Sequence, residues 1–331
     1  MARSWPAAAQ SGLTGIGFGT WAWGNQLVWG YDSRRDDRRL ESTFREAIAS
    51  GLTLIDTADS YGTGRWNGRS EQLLGQFISG LPPAQHDQLL IATKLAPFPW
   101  RLGRRGMDRA FRASRARLRG HLQRVQLHWS TARYAPWQDC VLLDGLADLV
   151  EQGAVNELGV SNVGPQRLAW MHSRLAERGV QLSSVQVQCS LLAPDDQRLQ
   201  QVLKICSDLG IEVLAYSPLA FGVLCQPPDA HPRPSTWLRQ RLFQRLIPAT
   251  ADLRGAVHAI AHDRGVSMVQ VALNWCRAQG TTPIPGLRSP DQARDVAAAL
   301  KWSLTTTEQQ RLDQLRANCD QRMPANPFQS A

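Results

Sequence analysis

The chain has 331 residues, 43% of them hydrophobic and 20% charged, with a net charge of +9. This length suits one large α/β domain or two ordinary ones, and the composition excludes a disordered chain. No apolar run approaches the ~18 residues of a membrane-spanning helix, and Met1-Ala-Arg-Ser-Trp-Pro, ahead of Ser11-Gly12, has no apolar core of a secretory signal, so the expected location is the cytoplasm.

In chain order, Ile16 to Thr20 reads as a short glycine-containing strand, followed by a loop with Trp21, Trp23 and Trp29. Leu40, Phe44 and Ile48 mark a helix over Arg38 to Ser50, stopped by Gly51. Leu52-Thr53-Leu54-Ile55 is a buried strand that stops at Asp56, where a carboxylate would be costly to bury alone. Ser70-Glu71 then cap a helix to Ile78. Leu89 to Thr93 is a strand ending at Lys94. An arginine-rich helix runs to about Gly120, and Val125-Gln126-Leu127 leads to His128-Trp129. A helix from about Gln138 to Gln152 precedes a strand near Leu158 to Val160 that ends at Ser161-Asn162. Pro165 opens a helix to about Arg178, and Ser184 to Val187 is a strand ending at Gln188. Asp196 to Leu209 is helical, and Ile211 to Ala215 leads to Tyr216-Ser217-Pro218. Residues 219 to about 250, with five prolines, form a long irregular excursion. Two helices follow, roughly Asp252 to Asp263 and Met268 to Arg277. A last strand near Thr281 to Ile284 ends at Pro285-Gly286, and Pro290 starts the final helix, with an irregular tail from about 319.

Eight strands alternating with helices imply a parallel sheet and suit a single-domain (β/α)8 barrel spanning residues 1–331. The rival, a doubly wound open sheet, would carry a dinucleotide glycine fingerprint; Gly15-x-Gly17-x-Gly19 has neither the spacing nor the following helix. In a barrel the residues that end the strands, Asp56, Lys94, His128, Ser161-Asn162, Gln188 and Tyr216, gather at one mouth. Taken singly, Asp56 reads equally well as a turn cap and Tyr61 as a packing residue. The series breaks that tie. Only three of the 37 basic residues are lysine, so Lys94 stands where a compact amine tunes a neighbour. A phenol is a poor acid at neutral pH; beside an ammonium held by a carboxylate, its pKa is expected to fall. His128 adds a second donor toward an oxygen that becomes negative. This set suits protonation of a carbonyl oxygen while hydride reaches carbon.

The positive charge concentrates between Arg101 and Arg124, where Phe111, Leu118 and Leu122 at helical spacing place the arginines on an outer helix face. No aromatic interleaving supports nucleic-acid binding. Six scattered cysteines without a C-x-x-C pair argue against structural zinc and a disulfide framework, leaving reduced, buried thiols.

The motifs Gly17-Phe18-Gly19-Thr20-Trp21, Asp56-Thr57-Ala58-Asp59-Ser60-Tyr61-Gly62, Ala92-Thr93-Lys94, Leu127-His128-Trp129, Gly159-Val160-Ser161-Asn162, Tyr216-Ser217-Pro218-Leu219 and Ile284-Pro285-Gly286, in this order, resemble the aldo-keto reductases over nearly the whole chain. The resemblance implies NADP(H) bound in extended form and a small aldehyde or ketone substrate. It implies Tyr61 as general acid, Lys94 and Asp56 as its tuning pair, and His128 orienting the carbonyl. Ser161, Asn162 and Gln188 would hold the carboxamide, Tyr216 would stack on the nicotinamide, and backbone from Ser217 through Pro218 and Leu219 to Gly222 would wrap the pyrophosphate. Gly19, Thr20, Trp21, Ile284 and Gly286 would line the cofactor, and Arg288, Ser289 and Gln292 would meet the 2′-phosphate. Where the family commonly has Glu-Asn, this chain has Asp295-Val296; Asp295 would still line the cofactor, while the adenine contact through Asn is lost. Trp21 and Trp129 are expected to line the substrate pocket. The run Gly19-Thr20-Trp21-Ala22-Trp23-Gly24 with His128-Trp129-Ser130 resembles a cyanobacterial and plastid branch, and the lack of a long leading extension points to a bacterial cytoplasm. The alternative activity is a slow-turnover redox-sensing partner protein docking through the Arg101–Arg124 stretch, as the family's potassium-channel β subunits suggest.

Overall fold

A computed structural model describes residues 15–64, 67–194 and 196–330. The amino-terminal stretch read for a signal lies outside the described residues. Eight strands, β1 (Phe18–Gly19), β2 (Leu54–Asp56), β3 (Leu90–Leu95), β4 (Arg124–Leu127), β5 (Glu157–Ser161), β6 (Leu182–Gln188), β7 (Glu212–Tyr216) and β8 (Thr282–Pro283), pair in chain order, and every pair is parallel. A bridge between Gly19 and Gly286, with Gly17 N–H donating to Pro283 O (3.0 Å) and Gly19 N–H to Pro285 O (2.9 Å), joins the first strand to the last. The (β/α)8 barrel stands.

Alternation along the strands decides which residues face the barrel axis. Leu54, Leu90, Ala92, Leu214 and Ile284 form a small apolar cluster capped by Tyr216. Their neighbours Ile55, Ile91, Val125 and Ala215 belong to the larger core under the helices. Gly17 is required by this packing, because a Cβ there would sit 2.8 Å from Leu54. Continuing the alternation upward brings Asp56, Lys94, Gln126 and Gln186 inward.

Several local expectations change. The helix Arg69–Ser79 is capped by Gly68 in the left-handed region (φ 78°), not by Ser70. Ser70 instead donates to Thr20 (2.6 Å to Oγ1), and buried Glu71 accepts from Thr93 (2.5 Å) and Arg117 (2.7 Å). The proline-rich excursion holds a 3₁₀ turn, Ala220–Cys225, and a helix, Trp237–Ala249, with Pro248 in its last turn. Pro290–Ala298 is not the final helix; Thr306–Ala317 follows, closed by a Thr305–Glu308 capping box. The arginine stretch is less of an outer stripe than its spacing suggests. Its helix is Gly103–Arg117, Arg104 pairs with Asp144 and Asp148, Arg117 with Glu71, and Arg124 is buried at the start of β4. Of the six cysteines only Cys189, Cys206 and Cys276 are buried; the other three are partly exposed. None is disulfide-bonded.

Candidate active site

At the C-terminal mouth, Lys94 Nζ donates to Asp56 Oδ2 (2.5 Å) and to Thr57 O (2.9 Å). Asp56 Oδ1 accepts from Gln186 (2.8 Å) and Gln126 (3.2 Å), so its carboxylate is surrounded by donors. The Lys94 ammonium lies 4.8 Å from the Tyr61 ring centroid, and the Tyr61 and His128 rings are 6.0 Å apart, edge to face. His128 Nδ1 is 3.3 Å from Ser60 Oγ. Four side chains from three βα loops and strand ends thus converge on one spot.

Their electrostatics differ from the expectation in one respect. Burial, then the negative charges of Asp56 and Asp59, push the Tyr61 phenol well above its ordinary value, rather than lowering it. Burial is the larger cause, and the Lys94 ammonium is engaged with Asp56. Burial also lowers the Lys94 amine, with Asp56 opposing. Burial, then Lys94 and Arg101, hold His128 well below 6.5, so the imidazole is neutral. Asp59 is raised to about 6, chiefly by burial, although Arg101 pairs with it.

On the far side of the mouth, Ser161 ends β5 and Asn162 follows it, and Gln188 sits in register with Tyr216. Ser161 is buried and donates to Gln186 O (3.3 Å). Asn162, in left-handed backbone (φ 58°), donates to His128 O (2.9 Å) and Ser161 Oγ (3.1 Å) and accepts from Tyr216 OH (2.8 Å). Its amide is engaged within the protein, at the mouth where it is expected to meet the carboxamide.

After Tyr216 the backbone bends sharply, with positive φ at Ser217 (52°), Ala220 (47°), Phe221 (55°) and Gly222 (95°). Non-glycine residues in that region cost of order 1–3 kcal/mol each and cluster where a backbone is shaped for a ligand. Beside this turn, two buried donors, Trp29 Nε1 and Arg239 Nε, have no hydrogen-bond partner among the described residues. Arg239 lies 4.6 Å from the Trp29 ring centroid and donates to Phe221 O (3.0 Å); Arg288 lies 5.7 Å from the same ring. Burial and then Arg288 lower Arg239; burial also lowers half-buried Arg288, with Asp36 opposing and Arg39 and Arg35 adding positive charge. A curled backbone, orphaned donors and crowded guanidinium groups fit an anionic, extended ligand such as a dinucleotide.

The remaining expected positions divide. Trp21 packs against Phe221 (5.4 Å) and Trp29 (6.0 Å) beside this turn. Gly19 and Gly286 sit at the barrel joint, and Ser289 caps its helix by accepting from Gln292 N–H (3.3 Å), whose side chain in turn accepts from Arg288 N–H (2.8 Å). Three side chains are spent elsewhere. Thr20 is buried and donates to Asp56 O (3.1 Å), Ile284 fills the barrel axis, and Asp295 accepts from Ser267 (2.8 Å) and Gln270 (2.8 Å) at the neighbouring helix. Trp129 stands at the rim, stacked on Phe328 (4.3 Å, 21°) and edge-on to Phe98 (6.1 Å), which stacks on exposed Trp100 (4.7 Å). Trp23 is a core residue whose indole donates to Leu287 O (2.9 Å).

Sequence reasoning missed Gln126, Gln186, Arg101, Arg239 and Asn326. The two glutamines could have been found by counting back two residues from His128 and Gln188 along inward-facing strand positions. Arg239 and Asn326 carry no such pattern.

The family model for aldo/keto reductases matches residues 15–317. The chain belongs to the aldo/keto reductase family. It is 47% identical over 95% of its length, and 86% of the relative's, to an Arabidopsis thaliana protein named pyridoxal reductase, chloroplastic. It is 30% identical, over 89% of the chain and 91% of the relative, to a 6-dehydroglucose reductase of Novosphingobium aromaticivorans. Among solved structures it resembles a Klebsiella pneumoniae aldo-keto reductase in complex with NADPH (TM-score 0.70, 26% identity, covering 96% of this chain and 95% of that one). A second Klebsiella structure, with NADP and acetate, matches with a TM-score of 0.71 at 26% identity and 96% coverage of each chain. The expectation of a bacterial cytoplasm is corrected by the plant relative, which is named for the chloroplast. The motifs read belong to the folded barrel, whose packing and chemistry are the same in either compartment. No helix among the described residues is long and apolar enough to cross a membrane.

Proposed function

We propose that this single barrel unit reduces an aldehyde or ketone to an alcohol with NADPH, and that its preferred substrate is a planar aromatic aldehyde of the pyridoxal type. The observation that carries the reaction is the contact set of Tyr61, Lys94, Asp56 and His128 at one mouth. The cofactor reading rests on the curled Ser217–Gly222 backbone with its orphaned donors, and on the Klebsiella relatives crystallised with NADPH and NADP. Bound NADPH supplies the hydride. The substrate reading rests on the aromatic wall of Trp129, Phe328, Phe98 and Trp100 and on the name of the plant relative.

In this reading Tyr61 is the acid. Because its phenol is pushed up, it holds its proton through neutral pH and releases it only to an oxygen that has become strongly basic. The phenolate left behind has the Lys94 ammonium over its ring, held there by Asp56 Oδ2, while Gln126 and Gln186 hold the other oxygen of Asp56. Neutral His128 carries one N–H to give to the carbonyl oxygen and adds no charge that would compete for the proton. Ser217, Pro218, Leu219 and Gly222 supply the backbone around the diphosphate, Arg288 the 2′-phosphate contact, and Gln188 with Tyr216 the nicotinamide side.

The test is NADPH oxidation with pyridoxal beside aliphatic aldehydes and ketones, with Tyr61→Phe as control. Turnover is expected with pyridoxal, a loss of roughly 10³-fold in the variant, and a Kd for NADPH within twofold of the parent. Retained turnover in Tyr61→Phe rejects the acid assignment, and preference for aliphatic substrates rejects the substrate class. The slow-turnover partner reading would have to use the exposed Arg105, Arg109, Arg115 and Arg119, since Arg101, Arg104, Arg117 and Arg124 are ion-paired within the chain.

A further inference from the structure

The carboxyl-terminal segment crosses the mouth of the barrel and reaches the residues that would seat the nicotinamide. Met323 N–H donates to Leu192 O (2.9 Å) and anchors its start, and Ser330 N–H donates to Asn162 O (3.0 Å) near its end. Between them, Asn326 Nδ2 donates both to Asn162 Oδ1 (2.9 Å) and to Tyr216 OH (3.0 Å). Tyr216 OH in turn donates to Asn162 Oδ1 (2.8 Å), which closes a three-membered ring of hydrogen bonds. Asn326 Oδ1 accepts from Phe328 N–H (3.0 Å), the residue stacked on Trp129.

We propose that Asn326 is a positioning residue for the reaction. Tyr216 has one rotatable bond between its ring and the strand end that could swing the ring across the pocket, and its hydroxyl is the natural place to stop that motion. Asn162 provides one stop. Asn326 provides the second, and it also saturates the Asn162 carbonyl oxygen, so that this amide keeps one orientation with its nitrogen toward His128 O. A single tail amide therefore fixes the ring beside Tyr61 and the backbone that carries His128. The same turn sets Phe328 against Trp129, so the substrate wall and the ring support are built from one segment two residues apart. The inference rests on the reading of Tyr216 as the surface under the nicotinamide.

The test compares Asn326→Ala, Asn326→Asp and Phe328→Ala in the full chain. NADPH binding is followed by quenching of the protein's tryptophan fluorescence, and turnover with NADPH carrying deuterium at the nicotinamide C4. In Asn326→Ala the Kd for NADPH is expected to rise about five- to tenfold, the size of one or two lost neutral hydrogen bonds. Its kcat should fall about tenfold, its isotope effect should increase as hydride transfer becomes rate-limiting, and KM for a short aliphatic aldehyde should stay within twofold. Asn326→Asp, similar in shape but facing the Asn162 carbonyl oxygen with a carboxylate, should bind NADPH still more weakly. Phe328→Ala should change KM for aromatic aldehydes while leaving Kd and isotope effect alone. Asn326→Ala with Kd, kcat and isotope effect all within twofold of the parent overturns the proposal. So does Phe328→Ala reproducing the Asn326→Ala profile, because the tail would then act only as cover. If the parent chain binds NADPH but reduces no carbonyl, the proposed reaction fails and the Kd values alone decide the role of Asn326.

Discussion

The barrel axis holds one buried cation near each end, and the two are treated in opposite ways. At the bottom, Arg124 (3% exposed) donates to Glu157 (2.7 Å) and Glu212 (2.8 Å), and Thr282 also donates to Glu212 (3.1 Å). Burial lowers the guanidinium's pKa, but the two carboxylates outweigh it and the net direction is up. At the mouth, Lys94 (1% exposed) contacts one carboxylate, Asp56, which is shared with two glutamines; Asp59 and Glu71 add to its pull, yet burial outweighs all three and the net direction is down. One site is over-neutralised and fixes charge for architecture. At the other, burial outweighs the carboxylates and leaves the ammonium under-stabilised, so it gains from a new anion on its neighbour. The difference in charge balance would distinguish an architectural ion cluster from the reactive one proposed at the mouth.

The largest test of this contrast is the pair Lys94→Met and Arg124→Met. The first should lower kcat by roughly 10²–10⁴-fold, as loss of a proton-transfer partner does, measured on folded protein. The second should leave kcat per folded molecule within twofold. It should cost about 3 kcal/mol in urea unfolding, the low end for a broken buried pair because Glu157 and Glu212 are 24% and 21% exposed. If Arg124→Met lost turnover as Lys94→Met does, the contrast would collapse.

A middle-sized effect lies in acid. Below about pH 6.5 the unfolded chain takes up a proton on His128 that the folded chain refuses, so stability falls by up to about 1.4 kcal/mol per pH unit. Asp59 acts in the other direction. Between about 6 and 3.8 its folded carboxyl keeps a proton that the unfolded one gives up, which adds stability as pH falls. Asp59→Asn should therefore steepen the acid loss and His128→Asn should flatten it, read from urea midpoints at pH 4.5, 5.5 and 7. Equal slopes in all three proteins would show that neither group titrates as its surroundings require.

The smallest effect is Arg124→Lys. An ammonium keeps the charge but cannot span both carboxylates in the guanidinium's fork, and a loss of about 1 kcal/mol is expected with unchanged kcat.

Much of this was legible in the chain because strand ends are a local signal. Leu54-Ile55-Asp56 and Leu90 to Lys94 announce both their burial and the polar residue at which it stops, and the register then lines those residues up. The direction of the Tyr61 shift was not legible, since it depends first on how completely the folded barrel buries the phenol, and then on the charges of Asp56 and Asp59. The helix Trp237–Ala249 was hidden by the prolines around it, four of which fall before it starts. Thr306–Ala317 was overlooked although Thr305-Thr306-Thr307-Glu308 spells its capping box. Asn326 sits in Pro324-Ala325-Asn326-Pro327, a stretch with no periodicity, and only the path of the tail over the mouth brings it to Tyr216.

The join between β1 and β8 has a consequence for the molecule's resistance to unfolding. Each of these strands contributes only two residues, and β8 includes a proline that has no N–H to offer. The barrel is thinnest there, and amide exchange should begin on either side of that seam. Yet the proposed seat of the dinucleotide straddles it, with Gly19 to Trp21 on one bank and Gly286 to Arg288 on the other. A ligand lying across both banks would staple the weakest joint shut, so the melting temperature should climb with NADPH concentration while the seam amides, before any others, fall silent to exchange.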